Sequence, residues 1–232
     1  MSIIRVDNVS KTYEDNGVPV NALKEVNLNI ENGDFAAIVG PSGSGKTTLL
    51  NIIGGLDQPS SGHVFVKDED ISAMKPNELI GFRLHHIGFV FQAYNLIPVL
   101  SAIENVEFIM LLQKRSKDER TKRAQELLQS VGLGDQMDRR PNELSGGQQQ
   151  RVAVARALAS MPSFVLADEP TANLDSASAE NLLDMMEKLN LEHGMTFVFS
   201  THDQRVMKRA RRVVTLRDGQ VISDETHAKR TA

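Results

Sequence analysis

Gly40-Pro41-Ser42-Gly43-Ser44-Gly45-Lys46-Thr47-Thr48 follows an apolar run, Phe35-Ala36-Ala37-Ile38-Val39, and leads into Thr47-Thr48-Leu49-Leu50-Asn51-Ile52-Ile53. The run before it has the length and continuity of a buried strand, and the apolar spacing after it predicts a helix that stops at Gly54-Gly55. Strand, glycine-rich loop and helix are the setting a phosphate-binding loop requires. The residue types fit that chemistry. Glycines let backbone N–H groups approach phosphate oxygens without a Cβ in the way. The helix N-terminus adds unpaired donors and the positive end of its dipole. Lys46 can reach the β- and γ-phosphates, and the Thr47 hydroxyl can take a place on Mg²⁺. Alone, this loop predicts a binder of nucleoside triphosphates and says nothing of the purpose.

Composition narrows the partners. The chain has 232 residues, 41% hydrophobic and 24% charged, which suits one large or two closely joined domains with ample core. A formal charge of −4 argues against a nucleic-acid binder, because gripping a phosphate backbone calls for a basic excess. Without cysteine there is neither disulfide nor thiolate chemistry, in keeping with a reducing compartment. No secretory signal opens the chain, and no apolar run approaches the roughly 18 residues of a membrane span. Any work at a membrane is therefore expected to go through another, spanning subunit.

Outward from the loop, Ile3 to Val9 and Val26 to Ile30 alternate as half-buried strands, the second turning at Asn32-Gly33. They predict an antiparallel sheet beside the phosphate-loop strand, with Tyr13 in an exposed polar loop. His63 to Lys67 reads as a strand, Asn77 to His85 as a helix, and Ile87 to Phe91 as a buried strand ending at Gln92. From Ser101 to Leu112, Lys117 to Val131 and Gln148 to Ala159 the pattern is helical, predicting a helical insert over 93–160 between core segments 1–92 and 161–232. The whole then forms a single domain. Phe164 to Ala167 and Thr196 to Ser200 are continuous apolar strands of the kind a parallel sheet buries on both faces, flanking an amphipathic helix over 178–191. Asp218-Gly219 between two apolar runs signals a hairpin, and 229–232 reads as a frayed tail. Leu96 and Ile97 read as exposed apolar residues. His85-His86 reads as surface or packing, and Arg205, Lys208, Arg209, Arg211 and Arg212 as a solvated helix face.

Two further stretches carry chemistry. The strand from Phe164 ends in Asp168-Glu169, at the edge of a parallel sheet where ligands bind. Asp168 is placed to hold Mg²⁺, directly or through water, and Glu169 to polarise an attacking water. The same pair also fits an acidic strand-to-helix turn. Leu144-Ser145-Gly146-Gly147-Gln148 opens a helix and offers a second anion-binding N-terminus, although it also fits an ordinary cap.

Taken in order, these motifs resemble those of the ATP-binding subunit of an ATP-binding-cassette (ABC) transporter, over nearly the whole chain. The resemblance implies an α/β fold with a P-loop ATPase core, a parallel sheet, an antiparallel β subdomain and an inserted helical subdomain. It implies that Tyr13 stacks on adenine, that Gly40, Pro41, Ser42, Gly43, Ser44, Gly45, Lys46, Thr47 and Thr48 hold the phosphates, and that Gln92, Thr47 and Asp168 serve Mg²⁺. Ser145, Gly146, Gly147 and Gln148 form the signature, Ala172-Asn173-Leu174-Asp175 a further loop, and Glu169, His202 and Lys46 the hydrolytic set. No key position is degenerate, so ATP hydrolysis is implied. The partners implied are a second copy of the chain and integral membrane permease subunits, with no nucleic acid and membrane contact only through the permease. The place implied is peripheral, on the cytoplasmic side of the inner membrane. Ile87 to Glu107 and Leu144 to Leu158 further resemble the lipoprotein-releasing and macrolide-exporter subfamily. A regulator of a membrane complex, resembling the cell-division ABC proteins, is the alternative.

Overall fold

The computed structural model describes residues 2–15 and 18–227. Two sheets organise it. The first is antiparallel, in the order β2-β1-β4-β5, with β1 over Ser2–Asp15, β2 over Val18–Glu31, β4 over Ser61–Val66 and β5 over Glu69–Asp70. The second has six strands: β10 (Gln220–Thr226), β9 (Arg212–Arg217), β3 (Phe35–Val39), β8 (Thr196–Ser200), β7 (Phe164–Asp168) and β6 (Ile87–Val90). Its five strands from β9 to β6 run parallel, and only β10 pairs antiparallel. Parallel strands covered on both faces must be apolar throughout, and β3 and β8 are buried at every position. Phe35, Phe197 and Phe199 meet at their centre, with ring centroids 4.7–6.0 Å apart.

Helix α1 (Lys46–Ile53) follows β3, and α2 (Pro76–His86) precedes β6. Between β6 and β7 lie α3 (Ala102–Leu112), α4 (Lys117–Ser130) and α5 (Gly146–Ala159). Ser101, Ser116 and Ser145 each cap the helix that follows, with Glu104, Glu119 and Gln148 closing a reciprocal capping box. Val106, Met110, Leu128, Val152 and Val154 pack these three helices into the same apolar cluster as Phe35 and Phe199. Helices α6 (Ser176–His193) and α7 (Gln204–Arg209) join that cluster, while α1 and α2 pack with the antiparallel sheet in a second one. No helix among the described residues is long and apolar enough to cross a membrane.

Four expectations need correction or qualification. Tyr13 does not lie in a loop. Strands β1 and β2 continue past bulges near Asn8 and Glu25, both in left-handed backbone, and Tyr13 pairs with Val20. The basic run 205–212 is no solvated helix face, because α7 ends at Arg209 and four of its arginines are engaged. Arg205 pairs with Asp203, Arg211 with Asn190, and Arg212 with Asp34 and Asp224. Arg209 bridges Glu180, Asp184 and Glu187 of α6. Leu96 and Ile97 are half-buried, Leu96 against the core cluster, and Val99 is the exposed apolar residue of that segment at 72%. The expected tail at 229–232 lies outside the described residues. The predicted hairpin is present, with Asp218 and Gly219 both at positive φ as a two-residue primed turn demands.

Candidate nucleotide site

Four chain segments leave the parallel sheet at one edge, the C-terminal ends of β3, β6, β7 and β8. That edge is where an open α/β sheet leaves room for a ligand. At the end of β3 the backbone turns through Gly40 at φ 153°, and a Cβ there would lie 2.1 Å from the Leu216 carbonyl oxygen. Gly45, the N-cap of α1 at φ 101°, has the same constraint against Ala22 O at 2.5 Å. Both positions therefore exclude side chains, and the loop backbone packs directly against β9 and β2 beside the cleft. Gly219 N donates to Ser44 O at 3.1 Å, tying the loop to the β9–β10 turn.

Lys46 is the first residue of α1 and is almost fully buried. Its ammonium donates to Gly40 O at 3.0 Å and Pro41 O at 2.9 Å. Three donors on one nitrogen leave one proton for an incoming anion. Ser44 Oγ is buried, and no hydrogen bond to it is found within the described residues. A cradle of backbone donors, a buried ammonium and a spare buried hydroxyl fits a polyphosphate. Thr47 Oγ1 donates to Asp168 Oδ1 at 3.3 Å, so the two groups expected to serve a divalent cation already converge.

Glu169 follows β7 in left-handed backbone (φ 45°), which a residue with a Cβ adopts at a cost of about 1 kcal/mol. Its N–H donates to Ser200 O at 2.8 Å. Its carboxylate is held from both sides: Thr201 Oγ1 donates to Oε2 at 2.9 Å, and His202 Nδ1 lies 2.7 Å from Oε1. A carboxylate so fixed, open to the cleft, can orient a water and accept its proton. Asp203, next in sequence, accepts from Arg205 and from Thr171 Oγ1. Partial burial alone would raise its pKa, but these hydrogen bonds outweigh it and hold the carboxyl at about 2.

Lys46, Thr47, Gln92, Glu169 and His202 line one cleft of about 560 Å³, together with Val20 to Ala22 of β2. Asn173 Nδ2 donates to Gln92 O at 3.0 Å and fixes the β6 loop beside it. Four expected groups are not in the lining: Ser44, Tyr13, Ser145 to Gln148, and Asp168, which reaches it only through Thr47. Tyr13 stands near α1, and its hydroxyl donates to Asp57 at 2.6 Å. Burial and that carboxylate raise its pKa, offset in part by Thr48. Ser145 to Gln148, at the start of α5, lie away from this cleft, with Ser145 Oγ accepting from Gln148 N. Thr201 is a site residue the sequence motifs do not mark, and its one signal is a polar residue directly after an apolar strand and before His202. The β2 wall at 20–22 carried none.

The fold and cleft define a phosphate-loop nucleoside triphosphatase. Residues 23–172 match the family model described as ABC transporter. The chain is 48% identical to the ABC transporter ATP-binding protein MJ0796 of Methanocaldococcus jannaschii over 227 residues, 96% of this chain and 97% of that one. It is 44% identical to a macrolide export ATP-binding/permease protein MacB of Shewanella over 98% of this chain and 35% of that one. Among solved structures it is similar to the dimeric post-hydrolysis state of the MJ0796 cassette bound to ADP and Pi. That match has a TM-score of 0.90 and 46% identity, and covers 97% of this chain and 99% of that one. The chain belongs to the ABC transporter family as an ATP-binding subunit, and it is an ATPase.

Proposed function

We propose that two copies of this chain close head-to-tail around two ATP molecules, and that closure and reopening drive a membrane permease that exports or extracts a substrate. One observation carries the reading. Among the described residues, two glycine-led helix N-termini are suited to anions, at Lys46 and at Gly146, and of these the first opens into the phosphate cleft. A second copy related by a two-fold axis can put its Ser145, Gly146, Gly147 and Gln148 over the γ-phosphate, and the operation returns the favour. The dimeric MJ0796 cassette is a relative with such an assembly.

In the cleft, Lys46 and the loop N–H groups would neutralise the β- and γ-phosphates, and Tyr13, beside α1, would carry the adenine. Thr47 and Asp168 would hold Mg²⁺, with Gln92 reaching it as the cleft closes. When bound, that ion supplies positive charge to the phosphate oxygens. Glu169 would take the proton of the attacking water, with His202 holding both the water and the γ-phosphate. The macrolide-export relatives, in which an ATP-binding segment and a permease share one name, support export. The permease would dock on an apolar groove of about 630 Å³ between α2, β6 and α3, lined by Ile80, Leu84, Phe108 and Leu112. The subunit would then sit peripherally on the cytoplasmic side of the membrane.

Slowing hydrolysis without touching the binding groups tests this. Glu169→Gln keeps the shape and removes the base. It is expected to be monomeric without nucleotide, dimeric with ATP, and monomeric again with ADP in sizing experiments. Adding Ser145→Arg should abolish the ATP-dependent dimer. A Glu169→Gln protein that stays monomeric at saturating ATP would overturn the reading.

A further inference from the structure

The first turn and a half of helix α5 carries three consecutive glutamines doing three different things. Gln148 closes the capping box on Ser145 N at 2.8 Å, and Gln149 Nε2 donates back to Leu144 O at 3.1 Å. Gln150 points the other way and is fully buried. Its Nε2 donates to Pro170 O at 2.9 Å and to Phe91 O at 3.3 Å. Phe91 directly precedes Gln92, and Pro170 directly follows Glu169. One amide nitrogen therefore ties the loop that carries Gln92 to the loop that carries Glu169, and both to α5.

The same helix grips the first loop a second time. Arg156 donates to Tyr94 O at 2.8 Å and also to Asn95 O, two residues in left-handed backbone. Burial lowers the Arg156 pKa, and the two carbonyls anchor its head. Gln150 lies within about 8 Å, along the axis, of the helix start at Ser145. Over that length a capped helix moves as a rigid rod. The segment Ser145 to Gly147 and the donor that holds Phe91 and Pro170 therefore sit on one continuous helix.

We propose that Gln150 is the positioning residue that makes the catalytic loops of a chain follow the seating of its own signature segment. This rests on the head-to-tail reading, in which Ser145 to Gly147 contact the nucleotide held by the other copy. Engaging that distant nucleotide would then set Gln92 and Glu169 in the chain's own cleft, so that each site fires once the other is filled. Coupling of this kind needs only a rigid element that both sites bias. Gln150 touches neither nucleotide and acts through Phe91 and Pro170.

The test uses Gln150→Met and Gln150→Leu, which keep the side-chain volume and remove the donor; one folded variant, with a near wild-type melting temperature, suffices. Hydrolysis is followed against ATP concentration. The expected result is a fall in kcat of about tenfold, a half-saturating ATP concentration changed by less than about threefold, and a Hill coefficient lowered towards one. In the Glu169→Gln background, the same substitutions should leave the ATP-dependent dimer intact. Wild-type kcat and an unchanged Hill coefficient would overturn the proposal. So would loss of the dimer, since Gln150 would then serve binding. If Glu169→Gln alone fails to dimerise, it is the head-to-tail reading that fails.

Discussion

The buried hydroxyl of Thr201 donates to Oε2 of Glu169 across 2.9 Å, and the Thr201 N–H is itself held by Ile38 O at 3.1 Å. The end of the phosphate-loop strand thus fixes, through one threonine, the carboxylate at the end of β7. Thr201→Val keeps the shape and deletes the donor, leaving only His202 to orient the carboxylate. A lost hydrogen bond to a charged group is worth about 1.5 kcal/mol, which predicts a fall of about tenfold in kcat with ATP affinity nearly unchanged. Steady-state hydrolysis alongside equilibrium nucleotide binding checks this.

Lys46 is already pinned by the carbonyls of Gly40 and Pro41, so its remaining proton can meet a phosphate with little loss of side-chain freedom. Charge-assisted bonds of this kind are worth about 1.5–3 kcal/mol each. Lys46→Ala should weaken ATP binding about tenfold or more and abolish hydrolysis. Titration with a fluorescent ATP analogue, beside a phosphate-release assay, separates the two effects.

Much of this was readable in the sequence because the site is built at strand ends. Val39, Phe91, Ala167 and Ser200 each close an apolar run, and Gly40, Gln92, Asp168 and His202 stand at or just beyond those closures. The unread parts depend on distant segments. Ser10 to Glu14 lie at the free end of a hairpin with neither face buried, so no alternation marks them as strand and Tyr13 reads as a loop residue. Arg209 looked solvated because its three carboxylates lie 22 to 29 residues away. Gln150 looked like its two neighbours, and only the packing of α5 on Phe91 and Pro170 tells them apart.

Arg209 neutralises Glu180, Asp184 and Glu187, which share one face of α6 at helical spacing. Arg209→Met would keep the apolar stem and leave three like charges facing one another. Since the carboxylates are partly solvated, the cost should be about 1 kcal/mol, or a melting temperature about 2–4 °C lower. Thermal denaturation at about 0.1 M and 1 M NaCl checks the cause, because salt should close the gap between variant and wild type.

Asp203 titrates at about 2 in the folded protein against 3.8 for a free carboxyl. Its charged form is therefore favoured by folding. That contribution is complete above about pH 5, declines as the pH falls through both values, and is gone at about pH 1, amounting to about 1 kcal/mol after solvent screening. Asp203→Asn should lower stability at pH 7 and flatten this acid limb. Urea unfolding between pH 2 and 5 reads the difference.

The apolar groove offers the last prediction. Ile80 on α2 is 55% exposed and Leu112 on α3 is 50% exposed, so both present apolar surface to solvent at the rim of the groove. Leu96 and Ile97, by contrast, are half-buried, so a charge there would disturb the fold as well as any partner. Ile80→Asp and Val99→Asp change only exposed side chains, and away from packed features such changes shift stability by about 0.5 kcal/mol or less. Both variants should keep basal hydrolysis within about twofold of wild type. If the permease docks in the groove, Ile80→Asp should lose the stimulation that permease-containing membranes give. Val99→Asp should lose it too if the contact extends along the loop after Gln92. Stimulation retained at the wild-type level by Ile80→Asp would place the permease contact elsewhere on the chain.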